Sequence, residues 1–150
     1  MEGVVIDTNV FVAAGFNPKS ASGRILEGVH EGRFRLIWNE PTRHETQMIL
    51  RRIPRLDWRG VADLFRPEGE FIGETDPRAF TAIQDPDDRK FAALSAAAAA
   101  PRVTSDKHVL ARRAVVGIDA VTPAAFLARQ NKWPDERRNP GEHAEARCRD

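Results

Sequence analysis

The chain has 150 residues, 41% of them hydrophobic and 30% charged, with a net charge of +1. That balance describes one soluble globular domain with room for a sizeable core, and the charge alone names no acidic or basic partner. No apolar run approaches the roughly 20 residues of a membrane span, Glu2 and Asp7 stand where a secretory signal would be basic and then apolar, and the lone Cys148 allows neither an internal disulfide nor a thiolate zinc site. A cytoplasmic protein with no membrane partner is expected.

Val4-Val5-Ile6 reads as a buried first strand, because branched side chains pack well on a pleated surface and the run is too short for a helix. It stops at Asp7-Thr8-Asn9, just past the strand end where open parallel sheets bind ligands. A carboxylate there is costly unless something pairs with it; in a plainer reading Asp7 caps a helix through Val10 to Ala14. After the break at Asn17-Pro18, Ser20 or Ser22 caps a helix with Ile25, Leu26 and Val29 on one face, weakened by Gly28 and ended by Gly32. Phe34 to Trp38 predicts the second strand. Asn39 and Pro41 open a helix carrying Thr42, Glu45, Met48 and Ile49 at helical spacing, and Pro54 stops it. Asp57 to Phe65 predicts a further short helix, and Phe71-Ile72 a short strand.

Asp85, with Pro86 at the first helical position, starts a helix through Phe91-Ala92-Ala93 and the alanine run to Ala100, which Pro101 ends. Arg102-Val103-Thr104 predicts a strand that again stops at polar residues, Ser105-Asp106. A short helix from Lys107 to Ala114 follows, then a last strand from Val115-Val116 and Ile118 to Val121, then a helix opened by Thr122-Pro123. Strands alternating with helices predict an α/β fold with a parallel sheet covered on both faces. Residues 1–130 are assigned to the domain, and the charged residues 131–150, almost without apolar side chains, to a disordered tail.

Two strands in this reading end in aspartate, so Asp7 and Asp106 share one edge of the sheet. Spacing does not place Asp88, though it shares a helix face with Phe91 and Ala92, as Glu45 does with Met48 and Ile49. Inward-facing carboxylates without a Cys or His cluster suit a hard cation such as Mg²⁺ or Mn²⁺. Their mutual repulsion is relieved by a divalent ion, and phosphodiester hydrolysis is the natural task of such a site. Each residue alone also has an ordinary explanation. Glu45 lies among Arg43, His44 and Gln47, as a surface residue would; Asp106 can cap the next helix; His44 and His108 read as solvated. Arg51, Arg52, Arg55 and Arg59 form a basic cluster that is either a solvated face or a set of phosphate contacts, with Arg112-Arg113 a second candidate.

Taken together, Val5-Ile6-Asp7-Thr8-Asn9-Val10, Glu45, Asp85-Pro86-Asp87-Asp88 before Phe91, and Val103-Thr104-Ser105-Asp106 resemble the PIN-domain family, notably the VapC-like toxins of bacterial and archaeal toxin–antitoxin pairs. Thr122 to Leu127 is similar to the family's closing helix, and the likeness spans about residues 3 to 128. The resemblance implies a Rossmann-like PIN domain, a central parallel β-sheet flanked by α-helices, with Mg²⁺- or Mn²⁺-dependent endoribonuclease activity and all four acids around one cleft. It implies that Asp7, Asp88 and Asp106 hold metal, and that Glu45 holds a second ion or orients the attacking water. Thr8 and Asn9 would steer Asp7 by hydrogen bonds, and Thr104 or Ser105 would touch water or a phosphate. Asp85, Asp87 and Asp88 compete as third acid; Asp88 is chosen because its offset to Phe91-Ala92-Ala93 matches the family pattern, leaving Asp85 as the cap. The implied partners are an RNA substrate, a cognate antitoxin and a second copy of the chain. The competing functions are a silent RNA- or protein-binding module on the same fold and an aspartyl phosphatase, which needs a second aspartate where this chain has Asn9. On this reading Asp7→Asn should abolish cleavage and leave the fold as stable or more so, since one repelling charge is gone.

Overall fold

A four-stranded parallel sheet organises the chain in the computed structural model: β1 (Glu2–Ile6), β2 (Phe34–Leu36), β3 (Arg102–Val103) and β4 (Ala120–Val121), in spatial order β2-β1-β3-β4. The described residues are 2–81, 83 and 85–138, without the side chains of 86, 87, 115, 116 and 131–138. Among the described residues six α-helices connect and flank the strands: α1 (Thr8–Phe16), α2 (Ala21–His30), α3 (Glu40–Arg52), α4 (Pro86–Ala98), α5 (Lys107–Val116) and α6 (Pro123–Arg138). This is the expected Rossmann-like α/β architecture. Among the described residues no helix is long and apolar enough to cross a membrane.

The strand alternation explains the two covered faces. Val4 and Ile6 point into one core with Val10, Phe11, Ile25 and Phe126, while Val5 points to the other side, against Phe91 and Leu94 of α4. Start signals act as their chemistry requires. The Ser20 hydroxyl accepts from the Gly23 amide (3.2 Å), and Asn39 with Thr42 forms a reciprocal cap at the start of α3 (3.2 and 3.1 Å). Gly28, a weak helix former, is kept for a packing reason: a Cβ there would lie 2.4 Å from the Phe34 ring. It is the bare spot that lets α2 rest on β2.

Three expectations change. Asp57 to Phe65 is not an α-helix but two successive 3₁₀ turns, Trp58–Gly60 and Ala62–Leu64; Asp57 caps the Arg59 amide (3.0 Å) and Gly60 follows at once. Trp58 and Leu64 are buried all the same. Phe71-Ile72 forms no strand. Ile72 is 88% exposed, with nothing to pack on, and the bridge to Trp38 is made one residue earlier, at Glu70. Val115 and Val116 belong to α5, because left-handed Gly117 (φ 72°) ends that helix only afterwards, leaving Ala120–Val121 as β4. α6 is assigned as Pro123–Arg138, and residues 139–150 of the expected tail lie outside the described residues.

α4 ends on an unusual residue. Ala99 takes the left-handed conformation (φ 52°) with a side chain that disfavours it. Ala99→Gly should therefore raise stability by about 0.5–1 kcal/mol, read as a higher urea midpoint with an unchanged slope.

Candidate active site

The site lies where β1 and β3 end level. The Asp7 amide donates to the Val103 carbonyl (3.0 Å), and the Thr104 amide to that of Val121 (3.0 Å), so Asp7 and Thr104 both leave the sheet at its C-terminal edge. Asp7 occupies the position before α1 but makes no side-chain cap; its backbone is extended (φ −65°, ψ 152°). Its carboxylate turns instead to Arg102 on β3, whose Nε donates to Oδ1 (2.8 Å) and Nη2 to Oδ2 (2.9 Å). Both partners are buried, Arg102 at 0% exposure and Asp7 at 2%. Arg102 Nη2 also lies 3.8 Å from Asp88 Oδ1, its Cζ lies 5.5 Å from the Phe91 ring centroid, and its buried Nη1 has no hydrogen-bond partner among the described residues.

The other acids gather beside this pair. Asp88 sits in the first turn of α4, half-buried, on the face that carries Phe91. Asp106 precedes α5 and accepts from the His108 amide (2.8 Å), so the plain capping role holds, while its own amide donates to Thr104 Oγ1 (3.0 Å). Glu45 is not a free surface residue: on the inner face of α3 it accepts from Lys90 Nζ of α4 (3.3 Å) with its side chain 14% exposed. Two hollows meet at Asp88. One of about 300 Å³ is lined by Asp7, Thr8, Asn9, Glu45 and Asp88, the other of about 370 Å³ by Asp85, Asp88, Asp106, His108 and Arg112. The carboxyls feel one another. Burial pushes Asp7 upward against the opposing pull of Arg102 and Thr104. Burial and the charge of Asp7 push Asp88 to about 6, although Arg102 draws it back.

Residues 3–108 match a family model described as PIN domain. The chain belongs to the PIN-domain family. No curated protein and no solved structure matches it individually. PIN domains have a nuclease-type fold and generally bind divalent metal and RNA. Of the acids named from the sequence, Asp7, Glu45 and Asp88 line one hollow, and Asp88 and Asp106 the other. The hydrogen-bonding support is arranged differently from the expectation. Thr8 does not turn to Asp7 but bonds the Thr46 hydroxyl of α3 (2.9 Å), and Asn9 reaches Thr104 Oγ1 (3.3 Å) and the Ser105 amide (3.0 Å). Both stand in the first turn of α1, facing α3 and the loop after β3, so Thr8 braces α3 and Asn9 braces the loop, and the hydrogen bonds that steer Asp7 come from Arg102. Ser105, just after β3, is exposed, as are Arg51, Arg52 and Arg55 at the end of α3 and just beyond it, and none of the four lines either hollow. Asp85 stands just before α4, and the side chain of Asp87, the remaining contender, lies outside the described residues.

Two residues of this PIN domain escaped the sequence reading, Arg102 and Lys90. Arg102 left a signal, since a charged residue in a short strand between two others must be buried with a counter-charge. Lys90 left none, because a lysine in a helix beside two aspartates and an arginine reads as solvent-facing. These cations bear on the metal that the family implies. The donor chemistry of the carboxylates suits a hard ion, but their present arrangement does not: Arg102 takes both oxygens of Asp7, and Lys90 engages Glu45. Among the described residues no three acidic, His or Cys side chains are grouped to hold an ion.

Proposed function

We propose that this PIN domain is an endoribonuclease hydrolysing RNA phosphodiester bonds, the cytoplasmic toxin of a toxin–antitoxin pair. The observation that carries the reading is the gathering of Asp7, Glu45, Asp88 and Asp106, from four distant stretches of chain, around two adjoining hollows at the C-terminal edge of a parallel sheet. The proposed cofactor is Mg²⁺ or Mn²⁺, with Asp7, Asp88 and Asp106 as its residues and Glu45 beside them. Thr104 and Ser105 are proposed to contact water or phosphate, and Arg51, Arg52 and Arg55 to contact the RNA backbone outside the cleft. An antitoxin segment covering the cleft and a homodimer are the proposed protein partners.

One observation favours a second reading, a silent RNA- or protein-binding module. Asp7 is already neutralised by Arg102. A cleavage assay on single-stranded RNA, with Mg²⁺ or Mn²⁺ and with chelator, separates the two. The enzyme reading expects cuts that vanish on chelation; intact RNA that nevertheless shifts in a binding gel belongs to the silent module, and cleavage indifferent to chelator contradicts the metal assignment.

A further inference from the structure

We infer that Arg102 is a built-in competitor for the divalent ion, a fixed internal cation that holds Asp7 until metal displaces it. The inference rests on the metal reading proposed above. A guanidinium stays charged at every working pH and presents a rigid fork that matches both carboxylate oxygens at once. Here the fork is closed on Asp7 at 2.8 and 2.9 Å, and the same group lies 3.8 Å from Asp88. It therefore sits against two of the three acids assigned to metal, where a second cation would meet like charge at short range with little water between.

Arg102 is held firmly but not completely. Its backbone is fixed between β1 and β4, with its amide on the Asp119 carbonyl (2.7 Å), and its side chain is wholly enclosed with the Phe91 ring nearby. Yet Nη1 is buried without an acceptor, a cost that any shift bringing it to water or to another oxygen would recover. An incompletely satisfied guanidinium is a poorer competitor than a saturated one, so metal faces a threshold and not a permanent block. Arg102 thus acts through Asp7 and Asp88 as a positioning residue that sets how much free metal the cleft requires.

The test is Mn²⁺ binding by the full chain, followed by the loss of free-Mn²⁺ EPR signal, for wild type, Arg102→Met and Arg102→Lys, with RNA cleavage measured in parallel. Arg102→Met should bind Mn²⁺ at least about tenfold more tightly than wild type, and Arg102→Lys, which keeps the charge but loses the fork, should fall between. The melting temperature of Arg102→Met should also rise more steeply with Mn²⁺ than that of wild type, because metal replaces the missing counter-charge. Wild type binding Mn²⁺ as tightly as a folded Arg102→Met overturns the inference and leaves the metal reading standing. Binding by Arg102→Met with none by wild type, even with RNA present, supports the inference and replaces the nuclease with the silent module. No binding by any of the three overturns both. If Arg102→Met does not fold, Arg102→Lys decides, and an affinity equal to wild type overturns the inference.

Discussion

Asp7→Asn is expected to end RNA cleavage and to lower stability by about 3–5 kcal/mol, the usual cost of leaving one half of a buried ion pair alone. The second half of that result reverses what the sequence suggests, where the loss of one repelling carboxylate relaxes the cleft. Repulsion from Asp106 and Asp88 does act on this group. Burial raises this carboxyl further, but the guanidinium that touches both Asp7 oxygens within 2.9 Å cannot shed its charge, and beside asparagine it is left buried without a counter-charge. At an effective interior dielectric near 20, opposite charges about 4 Å apart attract by about 4 kcal/mol. Asparagine supplies one acceptor and turns an N–H₂ group toward donors. Urea denaturation beside a cleavage assay checks both parts, and a midpoint equal to wild type would show that the pair does not hold β1 to β3.

Asp88→Asn should reduce cleavage by at least about a hundredfold, on the scale of removing one charged group from a preorganised site, and should stabilise the protein at neutral pH. The sign follows from the Asp88 carboxyl, raised from 3.8 to about 6 by burial and by Asp7. The folded state then binds this proton more tightly than the unfolded chain does. Its favourable contribution is complete below about 3.8 and is lost as pH rises through about 6. Above that range wild type carries an ill-placed charge that the variant lacks. The gain in Asp88→Asn should be about 1–2 kcal/mol at pH 7–8, moderated by the water that reaches the side chain, and should disappear near pH 4. Melting curves of the two metal-free proteins across that range test it; parallel curves would mean that Asp88 titrates normally.

Much of this architecture is legible in the sequence. Val4-Val5-Ile6 reads as a buried strand, and Ser20 and Asn39 act through side-chain preferences that operate wherever a helix begins. The failures share a cause. Whether Trp58 to Leu64 closes as α-helix or 3₁₀ turns, and whether Ile72 finds a surface, depends on packing that arrives from elsewhere in the chain. The acids were legible as types at suggestive places, but not as neighbours. Asp88 and Asp7 are 81 positions apart, and only folding shows that both face the same arginine. Thr8 and Asn9 were misassigned for a local reason, since the backbone turns between Asp7 and Thr8 and sends adjacent side chains to different partners.

The contact between Glu45 and Lys90 has a mechanical consequence. It clasps α3 to α4 beside the hollow that Glu45 lines, with only 14% and 21% of the two side chains open to solvent. Simple electrolytes weaken exposed charge pairs far more than shielded ones. Raising the ionic strength should therefore loosen exposed pairs such as Arg59 with Asp57 while α3 and α4 stay joined, so that surface attraction and internal spacing fail under different conditions.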